Sequence, residues 1–152
     1  MFPKTYSFKD VTVVLAHPLV GGFSSSGEVG LGEVMVAMAQ ERTAHDVAAD
    51  ATVMVSYLAG DNGTVQLTVQ QTSDVHEFLL AWYNAIKLAA DGGDVTQWAT
   101  MTITIRSLTD GTQHVCQGVS PGKIPDKAYA AAGQRFPWHL MAADIQTVTI
   151  SA

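Results

Sequence analysis

The sequence predicts a mainly β protein: an antiparallel β-sandwich or open barrel with one flanking α-helix over about residues 73–90. Three observations predict it. First, several short segments alternate apolar and polar residues with the period of a half-buried strand. The clearest is 64–70, with Val65, Leu67 and Val69 on one face and Thr64, Gln66, Thr68 and Gln70 on the other. Second, Asn62-Gly63 and Asp110-Gly111 stand between such segments, and a tight hairpin favours these pairs because its central residues need positive φ. Third, the period becomes helical only once. Val75, Phe78, Leu79, Trp82, Ala85, Ile86 and Ala89 fall at helical spacing and make one apolar stripe.

Along the chain, residues 6–15 read as the first strand. Its apolar phase switches near Asp10, from Tyr6 and Phe8 to Val11, Val13 and Leu15, which points to a bulge. Residues 17–32 carry five glycines and three serines and read as a loop. Val34, Val36 and Met38 mark a second strand over 33–40, and Val53, Val55 and Tyr57 a third over 52–58. The third should pair with 64–70 through Asn62-Gly63. The segment 41–51 mixes charge with alanine and fits neither period. Ser73 or Asp74 caps the helix, with Glu77 near enough to reach back, and Gly92-Gly93 ends it. Residues 99–106 alternate Ala99, Met101, Ile103 and Ile105 with Thr100, Thr102, Thr104 and Arg106, and return through Asp110-Gly111 into 113–119. A long connection over 120–133 leads to a strand over 134–142, in which Pro137 needs an edge or a bulge because it lacks an N–H. Gln146, Val148 and Ile150 mark a last strand. No repeat or linker divides residues 1–152, which read as a single domain.

Composition narrows the function classes. Charged residues are 14% of the chain, against about 25% in an ordinary soluble domain. Either the exposed surface is neutral and threonine-rich, or much of it is covered by other copies. The net charge of −6, with eight Lys and Arg and no basic run, argues against tight nucleic-acid binding. No apolar run approaches the roughly eighteen residues of a membrane span. The one cysteine, Cys116, reads as a buried small hydrophobe.

No catalytic, cofactor or metal motif is present. The Gly-rich segment lacks the lysine of a phosphate loop. The five histidines are well separated, and His114 and Cys116 merely share one strand face. Asp74, His76 and Glu77 open the helix, where capping and the helix dipole account for the carboxylates.

Three segments carry a resemblance that spans nearly the whole chain in order. They are YSFKDV at 6–11, DNGTVQLTVQQTS at 61–73 with AWYNAI at 81–86, and KIPDKAYAAAGQRFPWHLMAADI at 123–145. The most distinctive part is P-D-x-x-Y from Pro125 to Tyr129, followed by a glycine and a tryptophan-bearing strand. Together they resemble the tail tube proteins of contractile-tailed bacteriophages. That resemblance implies a structural subunit with no catalysis and no cofactor. It implies six copies in a ring and rings stacked into a hollow tube within a contractile sheath. The partners it implies are other copies, the sheath, and baseplate, initiator and terminator proteins, with DNA passing through unbound and no membrane. The tube would stand in the virion tail after assembly in the host cytoplasm. Polar strand faces suit a wet lumen, which makes Thr64, Gln66, Thr68, Gln70, Thr100, Thr102 and Thr104 the candidate lining. The two segments too long for plain turns supply the candidate ring-stacking residues: Gly22, Ser25, Gly27, Glu28, Glu41, Arg42, His45 and Asp46. Two alternatives stay open: a tube of a contractile bacteriocin or secretion particle, and a monomeric β-sandwich binding module using Trp98 and Trp138.

Overall fold

A computed structural model describes residues 3–25 and 30–150. Nine strands and one helix follow in order: β1 (Val11–His17), β2 (Gly21–Ser25), β3 (Leu31–Met38), β4 (Thr43–Val47), β5 (Val53–Tyr57), β6 (Gly63–Gln70), α1 (Asp74–Asp91), β7 (Met101–Ser107), β8 (Thr112–Lys123) and β9 (Arg135–Thr149). Seven strands form one antiparallel sheet in the order β2-β1-β7-β8-β9-β6-β3, and β4 and β5 form a separate ribbon. The sheet curls into a half-barrel around α1. Its two edge strands, β2 and β3, are joined by only residues 26–30, so their near ends lie within about 20 Å of one another.

The core follows from the alternation. Val13 and Leu15, Val65, Leu67 and Val69, Met101 and Ile103, and Trp138 and Leu140 all point inward and are buried. α1 lies across them with Val75, Leu79, Trp82 and Ile86 buried, while Phe78 is half-buried beside Phe23. The Ser73 hydroxyl caps the helix by accepting the His76 N–H at 3.1 Å. In β8 and β9 the inward phase shifts at Gly118, which has φ 64°. Cys116 and Val119 are therefore both buried, and so are their partners Ile145 and Ala142. A Cβ at Gly118 would stand 2.8 Å from that of Ala143, so glycine is needed there for close approach as well as conformation.

Several expectations need correction. The first strand starts only at Val11, because Phe8–Asp10 is a 3₁₀ turn capped by Ser7. That turn, not a bulge, accounts for the phase switch. The Gly-rich segment contains β2, which pairs with β1 from Val13↔Ser25 to His17↔Gly21. The 52–58 segment does not pair with 64–70. β5 pairs with β4, and β6 lies between β3 and β9. Gly63 is itself a buried strand residue, where a Cβ would clash with the Ala37 carbonyl oxygen. The glycine that signalled a turn instead permits strand contact. β8 extends to Lys123, and the last two expected strands are one, β9. Pro137 pairs with Thr68 of β6, while on the other side β8 ends at Lys123↔His139, so no ladder donor is missed. The Asp110-Gly111 hairpin forms as expected, with Gly111 at φ 68° and Ser107 opposite Thr112.

Candidate assembly surfaces

Three surfaces of the half-barrel are unfinished in a single chain: the outer sheet face, the two sheet edges and the β4–β5 ribbon.

The outer face is the side of the sheet away from α1. Thr64, Gln66, Thr68 and Gln70 of β6 lie on it, alternating with buried Val65, Leu67 and Val69. Thr102 and Thr104 of β7 lie on the same face, paired with Ala16 and Val14 of β1. The two candidate rows thus share one continuous face, with β8 and β9 between them. Thr100 departs from its row. It precedes β7, and its hydroxyl lies 2.8 Å from His17 Nε2 and 3.1 Å from the Gln97 carbonyl oxygen, to which it donates. His17 is buried. Its Nδ1 accepts the Leu19 N–H at 3.1 Å, which leaves Nε2 to donate to the Gln97 carbonyl at 3.0 Å. This ring ties the β1–β2 turn to the loop after α1.

The edges are β2 and β3. Among the described residues, no further strand lies beyond either in the sheet. Such edges invite pairing with another chain. Gly22 is exposed on β2, Ser25 is buried at its end, and Gly27 and Glu28 fall outside the described residues.

The ribbon leaves β3 at Met38 and returns at Gly63. Every residue of β4 is exposed, and so is every residue of β5 except Ser56. Registers Thr43↔Tyr57, His45↔Val55 and Val47↔Val53 place Val47, Val53, Val55 and Tyr57 on one ribbon face. Val55 is 62% and Tyr57 77% exposed, a large apolar display for an isolated chain. Asp46 lies on the other face, opposite Met54. Arg42 braces the base, donating to Asp61 Oδ1 at 2.6 Å and to the Leu58 carbonyl at 3.2 Å. Glu41 is exposed beside it. Sequence reasoning placed candidate stacking residues in 41–51 and did not single out the apolar side of the ribbon on β5. The in-phase Val53, Val55 and Tyr57 read as a strand paired with 64–70 because their actual partner, β4, was not recognised.

Cys116 is buried, and desolvation pushes its thiol up to about 11, which keeps it protonated and unreactive near neutrality. Trp138 Nε1 donates to His76 Nδ1 at 3.1 Å, and burial holds His76 below the ordinary histidine range, with Lys127 adding to the effect. Among the described residues no three His, Cys, Asp or Glu side chains gather as a metal site, and no helix is long and apolar enough to cross a membrane.

A family model described as "Bacteriophage PhiTE tail tube protein" matches residues 3–149. The chain belongs to that family. It is therefore a tube-type structural protein of a phage tail, and not an enzyme. Solved structures agree on the fold. A chain of the anti-feeding prophage baseplate, 6-fold symmetrised, superposes with a TM-score of 0.59 at 14% identity, covering 100% of both chains. A chain of the sheath/tube terminator of an extracellular contractile injection system in its extended state gives 0.60 at 11% identity, covering 98% of this chain and 99% of that one. One from the sheath-tube complex of such a system gives 0.56 at 12%, covering 96% and 93%. No curated protein matches the chain.

Proposed function

We propose that this tail tube protein forms rings of six copies that stack into a hollow tube inside a contractile sheath, and that the tube conducts the genome during ejection. The observation that carries the reading is the half-barrel with two open edges. β2 of one copy and β3 of the next provide edge strands that close into a continuous ring, which removes both edges. The outer face then becomes the wall of the lumen. Thr64, Gln66, Thr68, Gln70, Thr102 and Thr104 line it with uncharged polar groups. A wall poor in Lys and Arg lets DNA slide without phosphate retention. Thr100, turned to His17, stands apart from that wall. The arm and the exposed Gly22 lie at ring-to-ring positions, and Glu41, Arg42, His45 and Asp46 move with the arm. The sheath surrounds the ring; baseplate and terminator proteins cap its ends. Assembly takes place in the host cytoplasm.

The solved neighbours come from injection particles, and this favours as a second reading a tube whose cargo is not a genome. Its architecture is the same, and the cargo recovered with intact particles separates the two. A monomeric binding module accords poorly with two open edges and an apolar arm. Negative-stain electron microscopy of concentrated purified protein tests assembly directly. Rings or hollow tubes are expected, and uniform small particles at every concentration would overturn the reading.

A further inference from the structure

The arm and the connection between β8 and β9 stand at opposite ends of the same strands. β6 begins at Gly63, where the arm attaches, and ends at Gln70, opposite Arg135. The connection over 123–135 runs from the last residue of β8 to that same Arg135. The eight residues of β6 separate the two features by roughly 26 Å. Neither surface is self-complementary. A contact between them is heterologous and propagates head to tail without closing.

Their chemistry matches. The ribbon 43–57 contains Asp46 and Asp50 and no Lys or Arg. The connection carries Lys123, Lys127 and Arg135 against one carboxylate, Asp126, which pairs with Lys123 at 3.2 Å. That leaves Lys127 and Arg135 to face an anionic partner. Both surfaces are also apolar in part. Tyr129 is 78% exposed on the connection, and the ribbon offers Val47, Val53, Val55 and Tyr57.

We infer that the occupant of the 123–135 surface is the arm of a second copy of this chain in the next ring, with Asp50 at the arm's tip against Lys127 and Arg135 and the arm's apolar face over Tyr129. The inference rests on the tube reading and gives it a polarity. Each ring offers arms at one end and receives arms at the other.

The test is a charge swap read by pelleting and electron microscopy. Asp50→Lys should leave rings but abolish tubes, Lys127→Asp with Arg135→Asp should do the same, and the three changes together should restore tubes. Wild-type pelleting should also fall as salt rises, since exposed pairs are screened. A mixture of Asp50→Cys and Tyr129→Cys proteins supplies the geometric check, because Cys116 is buried and does not compete. Oxidation of pelleted tubes should yield mixed dimers, and oxidation of rings should yield none. Tubes that form unchanged in both charge-reversed proteins, or mixed dimers formed equally within isolated rings, would overturn the inference alone. Wild-type protein that never polymerises would remove the assembly reading, and this inference with it.

Discussion

Trp82 and Trp138 are both fully buried indoles of one core, yet their ring nitrogens end differently. Trp138 Nε1 donates to His76 Nδ1, whereas Trp82 Nε1 has no partner among the described residues. Replacing Trp138 by Phe leaves the buried His76 acceptor unsatisfied, a cost of about 1–3 kcal/mol beyond the lost packing. Trp82→Phe loses similar packing but also removes an unsatisfied donor, so the net cost should be smaller. Urea unfolding midpoints compare the two, and equal losses would contradict the assigned bond. The same pair sets a pH dependence. A protonated His76 could no longer accept from Trp138, and its charge would sit buried at the positive end of α1. Lys127 opposes that charge and Glu77 favours it. The folded value of His76 lies below its unfolded value near 6.5, so its contribution is complete above that pH. It is lost as pH falls from there through the folded value. Thermal melts from pH 7.5 to 5 should show wild type losing more stability than His76→Gln, which keeps an acceptor and cannot titrate.

At the scale of elements, the strand faces are the strongest test of register. Val65→Asp or Leu67→Asp places a carboxylate in the dry core and should abolish soluble folding, whereas Gln66→Asp points outward and should be tolerated. Expression and circular dichroism separate these outcomes, and equal damage from all three would refute the face assignment. Gly63→Ala should cost about 1–3 kcal/mol by overpacking against the Ala37 carbonyl and Ile145, while Asn62→Ala should be nearly neutral. A hairpin turn at Asn62-Gly63 would have made both substitutions matter. That contrast explains what the sequence made legible. Alternation marked β6 and β7 and the helical stripe marked α1, because each buries one face and local composition records burial. The β5 partner was hidden because a ribbon with no core face has no inward side to set its phase. β2 was hidden for a related reason: a Gly/Ser edge strand is defined by its hydrogen bonds to β1 and not by its side chains. The single long β9 was hidden by the phase shift opposite Gly118, which breaks the alternation and mimics two strands.

At the scale of the whole molecule, the candidate surfaces follow from what one chain leaves unsatisfied. The candidate lining rows were legible as polar alternation, but their presence on one face of one sheet required the β8–β9 pairing that joins them. The arm was legible only as a segment too long for a turn. Because no residue of β4 or β5 is buried, the arm should be dispensable for folding and indispensable for assembly. Excising residues 41–60 and joining Gln40 to Asp61 through a two-residue Asn-Gly turn tests this, since the Ala39 N–H already meets the Asn62 carbonyl at 3.0 Å and the cut keeps Asp61, whose carbonyl accepts the Ile145 N–H at 2.8 Å. The shortened chain loses the Arg42–Asp61 pair, but exposed pairs contribute about 1 kcal/mol or less. Its melting temperature should therefore stay within about 4 °C of wild type, given the usual sensitivity for a chain of this length. It should form rings through β2 and β3 yet fail to pellet as tubes. A large fall in melting temperature would mean that the arm packs on its own half-barrel. Normal tubes would mean that the rings stack through other surfaces.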